Sequence, residues 1–410
     1  MSPTLKKNLF AGALLATAAL IGIGLYYLFQ KTTPTAFKPR PVATTTPGAL
    51  PTAGERVAPI VTTTGAGELV RGQAAPTGAI PQVTPSYYQA KPVTQVTTDY
   101  ALFTSTNKNG GLRYHNAADG KFYRVTGDGT ITEMSDQIFY NADKVTWAPT
   151  KDEAVVEYPD GNKIVYNFET KKQITLPKHW EEFSFSNDSS QIAAKSMGLS
   201  PESRWLITVN DDGTGSKLIE PMGNNADKVI IDWSPSRQTA AFSMTGQALG
   251  ADRREVLFIG LNGENFKSTI VEGAGFEPQW SPTGQKLLYS VFSTRSDYKP
   301  ELWVVNAYGD DIGSARQSLA INTWADKCTF AGDKVLYCAV PRNLPQGAGM
   351  LPELALGLKD DLYKIDLQTG LKTNVPLGDE YSIKNINFDS INNKLYFTDT
   401  NKTGVFNVKI

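Results

Sequence analysis

The chain has 410 residues, with 40 basic and 41 acidic side chains and a formal net charge of −1. Residues 1–98 hold 8 of the basic and 2 of the acidic side chains, so residues 99–410 carry 32 against 39, a net charge of −7. Non-specific binding of nucleic acid requires a basic surface. We therefore exclude nucleic acid as a partner of the acidic portion.

An uncharged apolar run covers residues 9–29, beginning at Leu9 and ending at Phe29. A run of this length spans a bilayer as a helix. A cleaved signal peptide is the competing interpretation, but the run lacks small residues at its end, where a cleavage site requires them. The lysines that flank the run do not determine the orientation of the helix in the membrane. Because the segment before the run is short and the domain after it is long, we expect the long domain to be exported. We expect residues 1–31 to form a cytoplasmic head and membrane anchor.

Residues 32–92 are rich in proline and threonine and contain no long apolar run. Such a segment cannot bury enough surface to offset its chain entropy, so we expect a disordered tether. The protein is then a single-pass membrane protein whose third segment, residues 93–410, lies outside the cytoplasm, in the periplasm or at the cell surface.

Residues 93–410 repeat one phrase, an aromatic residue followed by a turn and an apolar strand. The spacing of 38 to 58 residues is close to that of a four-stranded propeller blade. The fold class is therefore all-β, a β-propeller of seven blades, with six as the alternative. We expect the anchor tryptophans to pack between blades and not to stack on a ligand. The leading aromatic residues are Trp147, Phe185, Trp233, Trp280, Phe330 and Phe388.

The two ends of the repeat array are less regular. Residues 112–125 are interpreted as the third and fourth strands of a first blade, with residues 101–103 as its second strand. The final blade lacks a fourth strand, which residues 92–98 could supply. Pairing of the two chain ends would close the ring and remove the exposed sheet edges.

The phrase Trp280-Ser281-Pro282-Thr283-Gly284 resembles that of the TolB-like family of bacterial β-propeller repeats. The family has aspartate where this chain has Thr283, Ser236 or Thr150. The resemblance covers roughly residues 93–410 and implies the fold. It implies little about function, because propellers host unrelated activities.

The sequence offers no recognisable catalytic centre, cofactor site or metal site. Its two histidines, His115 and His179, lie on different repeats, so no zinc-type cluster can be assembled. Neither a Gly-x-Ser-x-Gly elbow nor a phosphate-binding loop occurs. We assign no catalytic residue, metal or cofactor.

The connections between the second and third strands of the blades are unusually long and basic. Arginine captures carboxylates and phosphates in a bidentate manner, and recognition commonly resides on loops of a rigid scaffold. Alternatively, these side chains pair with Glu202, Asp252, Asp297 and Asp360 as a solvated rim. The candidate binding residues are Arg204, Arg253, Arg254, Arg295, Tyr298, Lys299 and Arg342.

The longest of these loops contains five large apolar side chains within residues 350–358. Such a run either folds over the ring or offers a hydrophobic patch to a partner. We expect it to fold against the protein's own surface.

Cys328 and Cys338 are at opposite ends of one predicted hairpin and are expected to face each other. A disulfide is favoured if the domain is exported, and two buried thiols are the alternative.

These observations favour a membrane-anchored module that binds a protein, peptide or glycan of the cell envelope. One alternative is a hydrolase or lyase that acts on envelope sugars or peptides from a central pocket, which would require converging carboxylates or an Arg-Tyr-Glu group around the channel. Another is a structural subunit of an envelope complex.

Overall fold

The computed structural model describes residues 90–106, 109–250, 252–264 and 266–410. Within them, strands β1 to β28 form seven four-stranded antiparallel sheets. Each sheet is one blade of a propeller, and we number the four strands of a blade outward from the central channel. The predicted seven blades are confirmed, and the alternative of six is wrong.

The strands of the first four blades, given from the channel outward, follow the order of the chain. Blade 1 contains β2 (Ala101–Ser105), β3 (Leu112–Asn116), β4 (Lys121–Val125) and β5 (Ile131–Glu133). Blade 2 contains β6 (Lys144–Trp147), β7 (Glu153–Glu157), β8 (Lys163–Asn167) and β9 (Lys172–Leu176). Blade 3 contains β10 (Trp180–Phe185), β11 (Gln191–Met197), β12 (Arg204–Asn210) and β13 (Lys217–Pro221). Blade 4 contains β14 (Val229–Ile231), β15 (Ala241–Ser243), β16 (Arg254–Ile259) and β17 (Thr269–Val271).

The last three blades include the one that joins the chain ends. Blade 5 contains β18 (Ala274–Trp280), β19 (Lys286–Phe292), β20 (Glu301–Asn306) and β21 (Gln317–Ser318). Blade 6 contains β22 (Cys328–Phe330), β23 (Val335–Pro341), β24 (Asp360–Asp366) and β25 (Lys372–Asn374). Blade 7 contains β26 (Ile383–Asp389), β27 (Lys394–Asp399), β28 (Val405–Lys409) and β1 (Val93–Thr97). The short 3-10 helices in the described connections are Pro201–Ser203, Gly223–Lys228, Thr294–Ser296, Gly309–Asp311, Ala325–Lys327 and Pro352–Ala355.

The outer strand of blade 7 comes from the other end of the propeller sequence. Strand β1 pairs antiparallel with β28, with Val93 opposite Val408. The predicted closure of the ring by residues near 92–98 is confirmed. It leaves β28 paired on both sides, so blade 7 has no unpaired third strand to attract another chain.

The strand assignment predicted for blade 1 is wrong by one position. Residues 101–103 belong to the first strand, and residues 112–125 form the second and third strands. The fourth strand is Ile131–Glu133, whose three side chains are all exposed. A short outer strand without a buried face shows no apolar alternation, so the sequence pattern concealed it.

The aromatic anchors pack between blades, as predicted. Trp280 of blade 5 stacks on Phe242 of blade 4, with ring centroids 5.2 Å apart, and Trp147 of blade 2 meets Phe122 of blade 1 edge-on at 5.3 Å. The Trp280 indole also donates to the Asp232 carbonyl of blade 4, at 3.2 Å. Such aromatic pairs contribute about 0.5–1.5 kcal/mol beyond their burial.

The turn after the Trp280 anchor requires glycine. Gly284 has φ +73°, and a Cβ there would lie 2.7 Å from the Ser236 backbone nitrogen of the neighbouring blade. This turn therefore packs closely against blade 4, and a side chain at position 284 would be strained.

Cys328 and Cys338 are register partners on β22 and β23, and the structure joins their sulfur atoms in a disulfide. Among the described residues, none forms a helix that is long and apolar enough to cross a membrane. The predicted anchor at residues 9–29 and nearly all of the predicted tether at 32–92 lie outside the described residues.

Candidate functional site at the channel mouth

The first strands of blades 1, 5 and 7 and the start of blade 6 surround a cavity of about 590 Å³ in the central channel. Its walls are polar over much of their area, with carboxylates, amides and a lysine. The lining residues are Leu102, Phe103, Thr104, Glu277, Pro278, Gln279, Asp326, Cys328, Lys384, Asn385, Ile386 and Asn387. A concave site with a few convergent polar groups is where a small ligand or substrate most often binds.

Glu277 and Asp326 form the centre of this site, and we call them the carboxylate pair. Glu277 is on β18, and Asp326 is on the 3-10 helix Ala325–Lys327 just before β22. Buried Ser290 of β19 connects the two elements, because its hydroxyl donates to Glu277 Oε2 at 3.0 Å and accepts from the Ala325 amide at 3.2 Å. One hydroxyl thus fixes one carboxylate directly and the other through its helix.

The pKa values of both carboxyl groups are raised. Burial within the ring raises the pKa of Glu277, and the nearby charge of Asp326 raises it further. Burial also raises the pKa of Asp326, against the opposing effect of Lys327. Both side chains are nevertheless exposed to the water of the channel, so their desolvation is partial. Two carboxyl groups that disfavour simultaneous ionisation can hold one proton between them, which suits one acid and one base.

Two further groups point to a polar ligand. Gln279 donates through Nε2 to the Cys328 carbonyl at 3.1 Å, but its buried Oε1 has no hydrogen-bond partner within the described residues. A ligand hydroxyl or amide could satisfy this acceptor, and leaving it unpaired carries a cost. Lys384, an exposed side chain of β26, supplies a positive charge to the same cavity.

The wall behind the carboxylate pair is held by a buried ion pair. Lys327 Nζ contacts Asp360 Oδ1 at 2.8 Å and Oδ2 at 3.0 Å, and the Asp360 side chain is inaccessible to solvent. The Ile383 amide donates to Asp360 Oδ2 at 2.7 Å. This cluster joins β24, β26 and the helix that carries Asp326, so it fixes Asp326 relative to Lys384.

Residues 342–359, which we call the blade 6 loop, form one side of the channel mouth. A pocket of about 260 Å³ lies between Trp324, Ala355 and Leu356 on this apolar side and Glu277, Asp326, Lys327 and Lys384 on the polar side. The loop is attached to blade 5, where the Asp297 and Tyr298 carbonyls accept hydrogen bonds from the amides of Gly347 and Gly349, at 2.9 and 2.7 Å.

The expectation that residues 350–358 fold against the protein is wrong for most of the large side chains. Leu344 and Ala348, earlier in the loop, are buried against Trp324. The later side chains face solvent, with Met350 51%, Leu351 57%, Leu354 46% and Leu356 70% exposed. Two backbone hydrogen bonds to blade 5 and the short helix Pro352–Ala355 hold this part of the loop at the surface. We call these four residues the apolar patch.

The structure distributes the predicted binding residues over several places, and none of them lines the channel-mouth cavity. Arg253 and Arg295 converge on Glu272, at 3.4 and 2.7 Å. Arg342 pairs with Asp361 and Glu380, at 2.7 and 2.9 Å. These partners differ from the acidic residues that the sequence suggested.

The other four predicted residues are separate from these pairs. Arg204 donates through Nε to the Gly198 carbonyl at 3.3 Å, and Arg254 pairs in register with Val271. The Tyr298 backbone supports the blade 6 loop. Lys299 lines a separate cavity of about 450 Å³ between blades 5 and 6.

The channel residues were not predicted, because single charges in or just before strands are a weaker sequence pattern than long basic loops. A signal was present: Glu277 and Lys327 stand three residues before their anchors Trp280 and Phe330, whereas Asp326 and Lys384 stand four residues before theirs. Residues at these two offsets in neighbouring repeats lie close to one another where the first strands of the blades meet.

The described residues define a seven-bladed all-β propeller of TolB-like fold with a polar site at its channel mouth. Neither a protein-family model nor a curated protein sequence matches the chain. In structure, it is similar to an oligogalacturonate lyase in complex with manganese, with a TM-score of 0.54 and 13% identity over 79% of this chain and 94% of that one. An oligogalacturonate lyase from Vibrio parahaemolyticus is also similar, with a TM-score of 0.52 and 12% identity over 79% of this chain and 95% of that one.

The tricorn protease is a third similar structure, with a TM-score of 0.47 and 9% identity, and this chain spans 34% of its length. At these identities the likenesses concern the fold alone. In the described parts of the chain, no group of three or more His, Cys, Asp or Glu side chains could hold a metal ion. We therefore derive no step that uses a metal.

Proposed function

We propose that the channel-mouth site binds an acidic oligosaccharide and cleaves it by acid–base chemistry. The observation that carries this proposal is the carboxylate pair, two groups with raised pKa values held through one serine in a cavity large enough for a sugar. Structural similarity to two oligogalacturonate lyases supports the substrate class as an analogy.

The roles follow from the charges in the site. The protonated member of the pair gives its proton to the glycosidic oxygen as that bond breaks, and the ionised member removes a proton from water or from a sugar carbon. Lys384 would pair with a sugar carboxylate, and Gln279 Oε1 would accept from a sugar hydroxyl. Proton removal from water gives hydrolysis, and proton removal from carbon gives elimination with a double bond in the product.

Product mass distinguishes these outcomes. The full chain is incubated with neutral, amino-sugar and uronate oligosaccharides, and the products are analysed by mass spectrometry. We expect cleavage of the uronate substrates; hydrolysis adds one water to the summed product mass, and elimination adds none. Absence of cleavage in every substrate would contradict the proposed activity.

We further propose that the propeller acts outside the cytoplasm, anchored through residues 9–29. The cross-strand disulfide between Cys328 and Cys338 supports this location, because disulfides persist in oxidising compartments. Mass spectrometry without reductant, on protein from its native host, should yield the linked pair of peptides. Two free thiols in that material would count against export.

A second candidate function is the binding of a partner protein of the cell envelope through the apolar patch. Four exposed apolar side chains on one anchored loop favour this function, because soluble surfaces rarely present such a cluster without a partner. Crosslinking in intact cells should capture a partner with the native chain and lose it when Leu351 and Leu354 are both replaced by Glu. Equal capture by the native chain and by the variant with two glutamates would exclude the apolar patch as the partner-binding surface.

A purely structural role in an envelope complex stays a prediction.

A further inference from the structure

A second cluster of charged side chains lies between blades 4 and 5, apart from the channel. Its centre is Glu272, which follows β17 and has a side chain only 9% exposed. Three guanidinium groups contact this one carboxylate: Arg295 at 2.7 Å, Arg316 at 3.0 Å and Arg253 at 3.4 Å. The three contacts come from three different connections, so the fold brings them together.

The three arginines differ in how firmly they are held. Arg316 is 23% exposed, lies over the Trp303 ring at 5.4 Å and donates to the Ile270 carbonyl. Arg253 and Arg295 have side chains 47% and 63% exposed, so much of their hydrogen-bonding capacity faces solvent. Arg316 is thus held in place by its neighbours, whereas Arg253 and Arg295 are accessible to a ligand.

The cluster has a surplus of positive charge. One glutamate neutralises one of three guanidinium groups. The nearby Asp252 carboxylate accepts from Thr294 at 2.7 Å and reduces the surplus without cancelling it. By comparison, Arg342 on the same face is neutralised by two carboxylates. A cluster of arginines with excess positive charge and solvent-facing N–H groups is suited to binding an oxyanion. Each guanidinium can donate two parallel hydrogen bonds to the oxygen atoms of such a ligand.

We propose that Arg253, Arg295 and Arg316 bind a phosphate group, with Glu272 as the residue that orients them. The phosphate can be free or carried by a larger ligand. Binding at this site needs no cleavage in the channel, so it stands independently of the proposed function.

Isothermal titration of the full chain with inorganic phosphate at low ionic strength tests this site. A parallel titration with glucose 6-phosphate separates free phosphate from a phosphate carried on a larger molecule. We expect binding to be weakened by at least about a hundredfold when Arg253 and Arg295 are both replaced by Ala, because one charge-assisted hydrogen bond contributes about tenfold or more and the double variant removes at least two. Arg295→Lys, which keeps the charge without the bidentate geometry, should give an intermediate loss.

Arg342→Ala is the matched control, since it removes an arginine of the same face whose charge is already paired. Its titration should equal that of the native chain. Failure of the native chain to bind either phosphate compound more tightly than chloride, or an equal loss in the Arg342→Ala control, would overturn the proposal. The melting temperature of each variant shows whether a loss arises from unfolding.

Discussion

Replacement of Glu277 by Gln is expected to lower the rate of oligosaccharide cleavage by about 10²- to 10⁴-fold, the range of general acid–base catalysis. Gln keeps the shape of the side chain and can still accept from the Ser290 hydroxyl, which donates to Glu277 Oε2 at 3.0 Å. The ring should therefore fold as before, and only proton transfer should be lost. Initial rates and melting temperatures, measured on the same preparations, separate the two effects.

Glu301→Gln is the matched control for this variant. Glu301 belongs to the same blade and also accepts from a serine hydroxyl, that of Ser318 at 2.6 Å, but it lies on the third strand and does not line the cavity. Its replacement should leave the rate unchanged, whereas Asp326→Asn should reduce it as Glu277→Gln does. Equal activity of the Glu277→Gln variant and the control would remove Glu277 from the mechanism.

The pH dependence of cleavage gives a second test of the pair. Partial desolvation in the channel raises the pKa of Glu277 and of Asp326, so each carboxyl stays protonated at pH values where a fully solvated one is ionised. The pH–rate profile should be bell-shaped, with its alkaline limb above the pKa of about 4 of an exposed carboxyl. An alkaline limb centred at about pH 4 would indicate unperturbed groups.

Replacement of Lys327 by Met is expected to lower the free energy of unfolding by about 3–5 kcal/mol near neutral pH, the cost of removing one partner from a buried ion pair. The Asp360 side chain is inaccessible to solvent and would retain only the Ile383 amide of its two close partners. Urea unfolding, followed by tryptophan fluorescence, measures the loss. The exposed Lys171, which pairs with Asp136 at 3.0 Å, provides the control, because Lys171→Met should leave the midpoint unchanged.

The loss in the Lys327→Met variant should depend on pH in a defined direction. Burial already raises the pKa of Asp360 in the native protein, and removal of Lys327 should raise it further. The folded state then binds more protons than the unfolded state between the two pKa values, so stability falls as pH rises through this window. The defect should be largest above the folded pKa and shrink as pH falls towards about 4. A defect that is constant with pH would mean that lost packing, and not an unpaired charge, is the cause.

The sequence predicted the fold well because the same pattern recurs in most blades, and its copies can be aligned with one another. Each aromatic anchor precedes a turn and a buried strand, and the blades between Trp147 and Phe388 lie where the spacing put them. The closing strand near residues 92–98 was also predictable, since the last blade lacked an outer strand. The strands of blade 1 were assigned incorrectly because Ile131–Glu133 has no buried face. A strand without a buried face lacks the alternation of apolar and polar residues from which strands are predicted.

The site was much less predictable. Glu277 and Asp326 belong to different blades and are 49 residues apart in the chain, and only the packing of blade 6 against blade 5 brings them together. The connecting role of Ser290 depends on side-chain geometry that no spacing expresses. The basic loops were visible in the sequence, but the meeting of Arg253 and Arg295 at Glu272 was not, because the expected partners were their neighbours along the chain.

The most direct test of the account is a structure of the Glu277→Gln variant of the full chain, determined with an intact uronate oligosaccharide. The account predicts one sugar within hydrogen-bonding distance of position 277 and of Asp326, with a sugar carboxylate next to Lys384. A sugar bound only at the outer edge of the blades, with none in the channel mouth, would contradict it.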